Sequence, residues 1–377
     1  MSSMTNPPTV GFVGSRALWH AMAELALAAG APVLIFGDET PKAPTTKAKT
    51  NGKSPKSSAK ANAKANAKAQ ATSEWPKGVK AAKSVKQLCE ECPVIYLGSP
   101  TDGARAVLQS MGPHLRPDHM IVHHTRGLED HGEKPPFYRV SEIVRQECCV
   151  KKIAVIAGAV RPDELRQGMP SACVIASPYR DVVHKVRAVF GSPVFHIYET
   201  EDLVGAELGM ALTPAYAIAI GLVQGMGFGA GTTGFIATRA VSEMARFSAP
   251  MRGEPATFAG LSGIGELLTA ALRPDHPFVE LGRTRVKGKD APLENPAPEL
   301  REGLTSLRLA AAFARNNAIF TPILLGVDAV IHEGRPIAEV ARHLLAVGTG
   351  HEKEIRIDEA VRSEAWRLAP RGGAGKN

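Results

Sequence analysis

The sequence predicts an α/β protein in which a doubly wound sheet is followed by an all-α C-terminal domain. Three observations lead to this prediction. The chain opens with a strand, a tight turn, a helix and a second strand. Short apolar runs then alternate with helical patterns to about residue 200. Beyond that point strand patterns largely vanish, and glycine- and alanine-rich helical patterns continue to about residue 347.

The opening segment is typical of a dinucleotide-binding βαβ unit. A buried strand, Thr9–Val13, ends at Gly14, and the helix that follows stops at Gly30. A second strand covers Pro32–Phe36. A strand that ends in a glycine turn at a helix N-terminus is the arrangement that receives a nucleotide pyrophosphate. We therefore predict a Rossmann-like N-terminal domain over residues 1–200.

A lysine-rich segment interrupts this domain. Residues 41–80 contain ten lysines and one acidic residue, and this excess is larger than the net charge of the whole chain, +8. The segment is of low complexity and nearly free of large apolar side chains, so we predict a disordered surface insertion. Two alternatives stay open: nonspecific binding of nucleic acid or acidic partners, and a solvated insertion without a partner.

The alternation resumes after the insertion. Strands are predicted at Val94–Gly98, Met120–His124, Ile153–Ala157 and Cys173–Ala176. Helices are predicted to begin near Asp102, Ser141 and Asp181.

The helical domain is predicted over residues 201–350, with a polar tail at 351–377. Its stretch Leu208–Thr238 contains no charged residue and is long enough to cross a membrane. Four glycines break its second half, between Gly225 and Gly231. Two buried helices joined by a glycine-rich turn explain the stretch better, so no membrane insertion is expected.

The cysteines predict neither a disulfide framework nor a metal site. Five cysteines in a long chain without a secretion signal indicate reduced thiols in a cytoplasm. Cys89 and Cys92 have redox or metal spacing, but no second pair or histidine cluster completes a zinc site. A helix that ends and runs into a strand is the favoured explanation of this spacing.

Six blocks in order make the chain resemble the NAD(P)-dependent glycerol-3-phosphate dehydrogenase family. The first two lie in the N-terminal domain and the rest in the helical domain. They begin at Ala154 (AVIAGAV), Gln167 (QGMPSA), Asp202 (DLVGAELGMAL), Thr238 (TRAVSEMAR), Thr257 (TFAGLSGIGEL), and Glu302 (EG) with Thr321 (TPI) closing the pattern. The resemblance implies a Rossmann domain, a helical substrate domain, and hydride transfer between a nicotinamide and glycerol 3-phosphate or dihydroxyacetone phosphate.

The resemblance also implies which residues bind the cofactor. The cofactor-binding positions are Gly14, Ser15, Arg16, Ala17, Leu18, Asp38, Gly98, Pro100 and Glu302. Arg16 and Trp19 replace the second and third glycines of the family turn. Asp38, at the end of the second strand, suits a ribose diol and would repel a 2′-phosphate, so NAD is expected in preference to NADP.

Both lysines of the family active site are replaced. Arg126 stands at the first lysine position, and Thr213, followed by Pro214, at that of the proton-donating lysine. Glu266 takes the place of the family aspartate. Arg126, Thr213 and Glu266 are accordingly the catalytic candidates.

The substrate-binding candidates are Gly158, Val160, Arg273 and His276. Val160 replaces a family serine, and Arg273 or His276 could substitute for the family's phosphate-binding residues. Three histidines, His20, His123 and His124, lie near the carboxyl edge of the predicted sheet. Histidine as a residue type suits proton transfer, although packing roles explain these three as well.

Two functions of different class follow. The first is an NAD-dependent dehydrogenase acting on glycerol 3-phosphate, dihydroxyacetone phosphate or a related small phosphorylated substrate. The second is a family member without catalysis that binds or regulates. A cytoplasmic location is expected, and a homodimer is an open possibility. No metal is expected.

Overall fold

The computed structural model describes residues 7–14, 18–37, 75–130, 132, 137–288 and 296–346. The chain forms two compact units, described separately below. Unit 1 comprises residues 1–129 and 138–201, and unit 2 comprises residues 130–137 and 202–377. The predicted site residues Ser15, Arg16, Ala17 and Asp38 lie outside the described residues, as do the lysine-rich segment up to Glu74 and the polar tail.

Unit 1 is built on an eight-stranded, mostly parallel sheet. Its strands follow the order β10-β9-β8-β5-β4-β1-β2-β3, and only the β8–β9 pair is antiparallel. The stretch β3-β2-β1-β4-β5-β8 has the strand order of a dinucleotide-binding fold, which confirms the predicted fold class.

The sheet strands are β1 (Val10–Gly14), β2 (Val33–Phe36), β3 (Val79–Ala81), β4 (Val94–Gly98), β5 (Met120–His123), β8 (Lys152–Ala157), β9 (Ser171–Ala176) and β10 (Phe195–Thr200), and β6 (Glu129–Asp130) pairs with β7 (Phe137–Tyr138). The helices are α1 (Leu18–Ala28), α2 (Val85–Glu91), α3 (Thr101–Met111), α4 (Val140–Glu147), α5 (Pro162–Arg166) and α6 (Arg180–Phe190).

Apolar side chains cover both faces of this sheet. One core cluster contains Phe12, Tyr96 and Ile156, and the other contains Val13, Leu97 and Ile153. Neighbouring residues of one strand thus enter opposite clusters, since side chains alternate along a strand. Helices on both faces explain why the strands are apolar on both sides.

Two parts of unit 1 differ from the sequence prediction. The insertion predicted over residues 41–80 ends earlier, because β3 starts at Val79 and Trp75 stacks on His20 with ring centroids 4.4 Å apart. Strand β10 was not predicted. It lies at the edge of the sheet and exposes several polar side chains, so it lacks the apolar run that marks the other strands.

Unit 2 is helical in its described residues, apart from its share of β6 and β7. The helices are α7 (Leu203–Gly225), α8 (Ala230–Ser248), α9 (Glu266–Leu272), α10 (Pro277–Val286), α11 (Pro298–Asn316), α12 (Pro322–Ile331) and α13 (Ile337–Ala346). A single π-turn, Leu261–Gly265, leads into α9.

Helix α7 is the core helix of unit 2. The helix is long and apolar enough to cross a membrane, but 94% of its most apolar 18-residue stretch is buried inside the protein. Gly221 faces Gly282 of α10 so closely that a side chain at either position would collide with the opposite backbone. The first predicted buried helix is therefore confirmed as α7. The glycine-rich turn and a second helix, α8, follow as predicted, but α8 is exposed at its start and its buried residues begin at Ile236.

Candidate functional site

Three glycines, Gly14, Gly37 and Gly98, lie at the carboxyl ends of β1, β2 and β4. Gly14 has φ +104°, and a side chain there would lie 2.7 Å from the Ser99 amide nitrogen. A side chain on Gly37 would lie 2.7 Å from the Gly14 carbonyl oxygen. The backbones of three strand ends thus touch without intervening side chains, which leaves a close backbone turn ahead of helix α1.

Trp19, at the family's third glycine position, points into the core of unit 1. Its side chain is 1% exposed and packs edge-on to Phe12, with ring centroids 6.0 Å apart. The indole lies against the backbone of Gly98, where any Cβ would collide with Nε1. The close packing that the family glycine provides is therefore reversed here, with the large residue on the helix and the glycine on the strand.

Two further described cofactor candidates of unit 1 lie beside this turn, whereas the candidate Glu302 belongs to unit 2. Leu18 is the buried first residue of α1, and Pro100 precedes helix α3. Gly37 and Ser99 were not among the predicted residues. Their signal is their position directly after strands β2 and β4, where a glycine or small residue permits close backbone contact.

Side chains tie the segment after β5 to both neighbouring strands. The Thr125 hydroxyl donates to the Ser99 carbonyl oxygen over 2.8 Å. On the other side, His124 Nδ1 lies 2.6 Å from the Ile156 carbonyl oxygen of β8. These two bonds fix the half-buried Arg126, which follows directly and keeps its charge at any physiological pH.

The substrate candidates of unit 1 follow β8. Gly158 has φ +112°, a backbone conformation that favours glycine. The Val160 amide donates to the Gly158 carbonyl oxygen over 2.7 Å, and the Val160 side chain is buried in the core cluster with Phe12. Position 160 therefore contributes an apolar wall and no polar side-chain atom.

In unit 2, Thr213 lies inside helix α7 and is buried. Its hydroxyl donates to the Gly209 carbonyl oxygen one turn earlier, over 2.8 Å. Pro214 follows within the same helix and lies against Gly303 of α11, as does the Phe278 ring. The position of the family's proton-donating lysine thus carries a hydroxyl whose hydrogen is already committed to the helix backbone.

Glutamates of three helices of unit 2 are buried. Glu207 lies on α7, Glu266 begins α9 and Glu302 lies on α11, and each is less than 9% exposed. Gly209 of α7 approaches the backbone of Ser262, in the π-turn before Glu266, so closely that a Cβ would collide. This contact fixes the turn that presents Glu266.

The two candidate phosphate-binding residues lie around the start of α10. Arg273 donates from Nε and Nη2 to the carboxylate oxygens of Asp275, over 2.7 and 3.2 Å. His276 immediately precedes the helix, and its ring centroid lies 5.8 Å from that of Phe278. The Arg273 charge is thus shared with a neighbouring carboxylate.

Another buried carboxylate, Glu243, was not predicted. It accepts hydrogen bonds from the amides of Ile323 and Leu324 over 2.8 and 3.0 Å, at the start of α12, and from the Tyr216 hydroxyl over 3.2 Å. Burial raises the pKa of Glu243 to about 7, although the two amides act in the opposite direction. Its contacts are those of a helix cap inside unit 2.

The cysteine spacing has the structural explanation predicted for it. Cys92 caps the end of α2, and β4 begins at Val94. Burial raises the pKa of Cys89 to about 11 and that of Cys92 to about 12, so both are protonated at neutral pH. Among the described residues, no group of three or more His, Cys, Asp or Glu could hold a metal ion.

Two protein-family models match the chain in succession. The model for the N-terminus of NAD-dependent glycerol-3-phosphate dehydrogenase matches residues 9–183, and the model for its C-terminus matches residues 202–342. A glycerol-3-phosphate dehydrogenase (NAD(P)+) of Pseudomonas paraeruginosa is 30% identical over 273 residues, which cover 71% of this chain and 78% of that protein. One of Halothermothrix orenii is 25% identical over 354 residues, covering 93% and 98%.

Solved structures of other proteins have a fold similar to that of this chain. A glycerol-3-phosphate dehydrogenase from Coxiella burnetii superposes with a TM-score of 0.73 at 21% identity, covering 91% of this chain and 100% of that one. The yeast enzyme superposes with a TM-score of 0.70 at 18% identity, covering 89% and 99%.

Proposed function

Since the chain belongs to the NAD-dependent glycerol-3-phosphate dehydrogenase family, we propose that it is a cytoplasmic dehydrogenase. It transfers hydride between NAD(H) and glycerol 3-phosphate, dihydroxyacetone phosphate or a closely related phosphorylated substrate. The observation that carries this proposal is the matching of both family models, over residues 9–183 and 202–342.

The residues present fit the cofactor. No Cβ fits at Gly14, Gly37 or Gly98, because the ends of β1, β2 and β4 and the Trp19 ring pack against one another there. The turn after the first strand, at this edge of the sheet, is where this class of fold binds a pyrophosphate. Leu18 then starts α1, whose N-terminus carries the partial positive charge that favours phosphate. The preference for NAD over NADP rests on the sequence position of Asp38. When bound, the nicotinamide donates or accepts the hydride.

The side chains of this chain supply orientation and charge. Arg126 provides a permanent cation that binds an anionic or hydroxyl group of the substrate, and the bonds of Thr125 and His124 hold its segment in place. Hydride arrival at a ketone carbon leaves negative charge on its oxygen. A fixed cation stabilises that charge, and a proton donor completes the alcohol.

Binding and turnover are tested separately. NADH is titrated into the purified protein, dihydroxyacetone phosphate is added, and the loss of nicotinamide absorbance is followed. We expect saturable NADH binding followed by oxidation of NADH. Absence of binding at millimolar NADH would contradict the proposal, and binding without turnover would favour the binding or regulatory alternative.

A pair of glycine variants provides the control. Gly14→Ala should weaken NADH binding at least tenfold, because a Cβ there collides with Ser99. Gly103→Ala should leave binding unchanged, because nothing lies within 4 Å of a Cβ at this helical position. Equal binding by the two variants would contradict the role of the glycine turn.

A further inference from the structure

Reduction of a ketone requires a proton donor, and the replaced family positions do not offer one. The Thr213 hydroxyl already donates to the Gly209 carbonyl oxygen. Arg126 does not release its proton at neutral pH. A donor with an ordinary pKa near neutrality would match the reaction better, and histidine is the side chain with that property.

His124 has a defined position at the edge of the sheet. It directly follows β5, where the carboxyl ends of the parallel strands bind ligands in this class of fold. Its side chain is buried, and Nδ1 lies 2.6 Å from the Ile156 carbonyl oxygen. Arg126 is two residues further along the same segment.

This bond determines the tautomer of the ring. A carbonyl oxygen only accepts hydrogen bonds, so Nδ1 of His124 carries the hydrogen and donates it. Nε2 is then the nitrogen that gains and loses a proton. An imidazole oriented through one nitrogen, with proton exchange at the other, is the arrangement of a histidine general acid or base.

We propose that His124 Nε2 is the proton donor of the reduction and the proton acceptor of the oxidation. This inference rests on the proposed function. In the reduction, hydride from NADH forms the new C–H bond as the carbonyl π bond breaks. The oxygen takes the Nε2 proton, leaving an alcohol, neutral His124 and NAD+. The oxidation reverses each transfer.

The protonation of His124 depends on the groups around it, and the strands on either side of it are mainly apolar. The β4 neighbour contributes Val94–Gly98 and Ser99, and the β8 neighbour contributes Lys152–Val160. Lys152 lies at the opposite end of β8 and pairs with Asp181. The titratable and charged groups on these segments are His123, Arg126, Tyr96 and Lys152, and Arg161 follows directly after Val160.

The tautomer is tested without catalysis. Long-range ¹H–¹⁵N spectra of the whole protein labelled with ¹⁵N-histidine report which ring nitrogen carries the hydrogen, and the signal missing from His124→Asn assigns the residue. We expect neutral His124 to be protonated at Nδ1. A neutral ring protonated at Nε2 would overturn the proposal.

Kinetics test the proton transfer. His124→Asn keeps an amide N–H that donates to Ile156 but cannot titrate. We expect kcat for reduction to fall about 10²-fold or more, with NADH affinity within twofold of the unchanged chain. The decline of the unchanged chain's rate with rising pH through the histidine range should disappear. His196→Asn, at an exposed position of β10, should match the unchanged chain.

Two results would overturn this inference alone. One is a His124→Asn chain that retains more than half of the rate and the same pH profile. The other is a Glu266→Gln chain whose rate no longer declines with rising pH, while the rate of the His124→Asn chain still does. The proton donor would then be Glu266. An unchanged chain that binds no NADH overturns the proposed function, and the inference with it.

Discussion

The candidate site residues of the two units differ in kind. In unit 1, the features that fit a nucleotide are features of the backbone, made by Gly14, Gly37 and Gly98. In unit 2, the candidate polar side chains bond to their own unit, as the Thr213 hydroxyl does to Gly209 and Arg273 does to Asp275. The close packing of the strand ends in unit 1 thus depends on the backbone, while the candidate polar groups of unit 2 are side chains bonded within that unit.

The comparison shows which kind of feature tolerates substitution. A close backbone turn needs no particular side chain, and at position 19 the Trp19 ring packs into the core over Gly98. A proton donor needs a particular chemical group, and no threonine replaces a lysine in that role. Retained binding with relocated proton transfer is what this difference predicts.

The largest loss of stability is expected at Gly98, where the strand end packs against the core. Gly98→Ala should destabilise the protein by about 3 kcal/mol, since the added methyl collides with the Trp19 indole. Urea unfolding measures this change. The loss should be less than half as large in a Trp19→Phe background. Gly103→Ala, on open helix surface, should instead stabilise slightly, by about 0.5–1 kcal/mol.

In unit 2, Glu243 should change the free energy of unfolding by a comparable amount, and this change should depend on pH. Burial raises the pKa of Glu243 from its ordinary value of 4.5 to about 7. Its stabilising contribution is therefore complete below pH 4.5 and is lost as pH rises through 7, by up to about 3 kcal/mol. Unfolding free energies at pH 5 and pH 8 should differ less in Glu243→Gln than in the unchanged chain. Equal differences would contradict this assignment.

A smaller loss is expected at the start of the core helix. Asp202 accepts from the amides of Gly205 and Glu254, each over 2.8 Å, and from the Thr257 hydroxyl over 2.5 Å. Asp202→Ala leaves three donors without this partner and should cost about 2 kcal/mol. Asp181→Ala, which removes an exposed ion pair with Lys152, should cost at most about 1 kcal/mol in the same unfolding assay.

Much of the fold could be predicted because long apolar runs and helix boundaries are local signals. The predicted strands Val94–Gly98 and Ile153–Ala157 and the helix pair around the turn at Gly225 are all present. Strand β10 could not be predicted, because an edge strand with exposed polar residues carries no comparable pattern.

The site was harder to predict because its properties depend on contacts between distant residues. The sequence identified Gly14 and Thr213 but could not show that Trp19 turns towards Gly98, or that Thr213 bonds within its own helix. The predicted roles of individual site residues, the homodimer, and nucleic-acid binding by the lysine-rich segment stay predictions.

The smallest effect should come from the position that the family uses for proton donation. Thr213→Val removes only a hydroxyl that donates to Gly209 inside helix α7. We expect kcat to change less than threefold and stability by about 1 kcal/mol or less, measured by nicotinamide absorbance and urea unfolding. A tenfold loss of kcat at constant KM would show that this hydroxyl serves the reaction. Together with a full rate in His124→Asn, that result would move proton transfer back from unit 1 to unit 2.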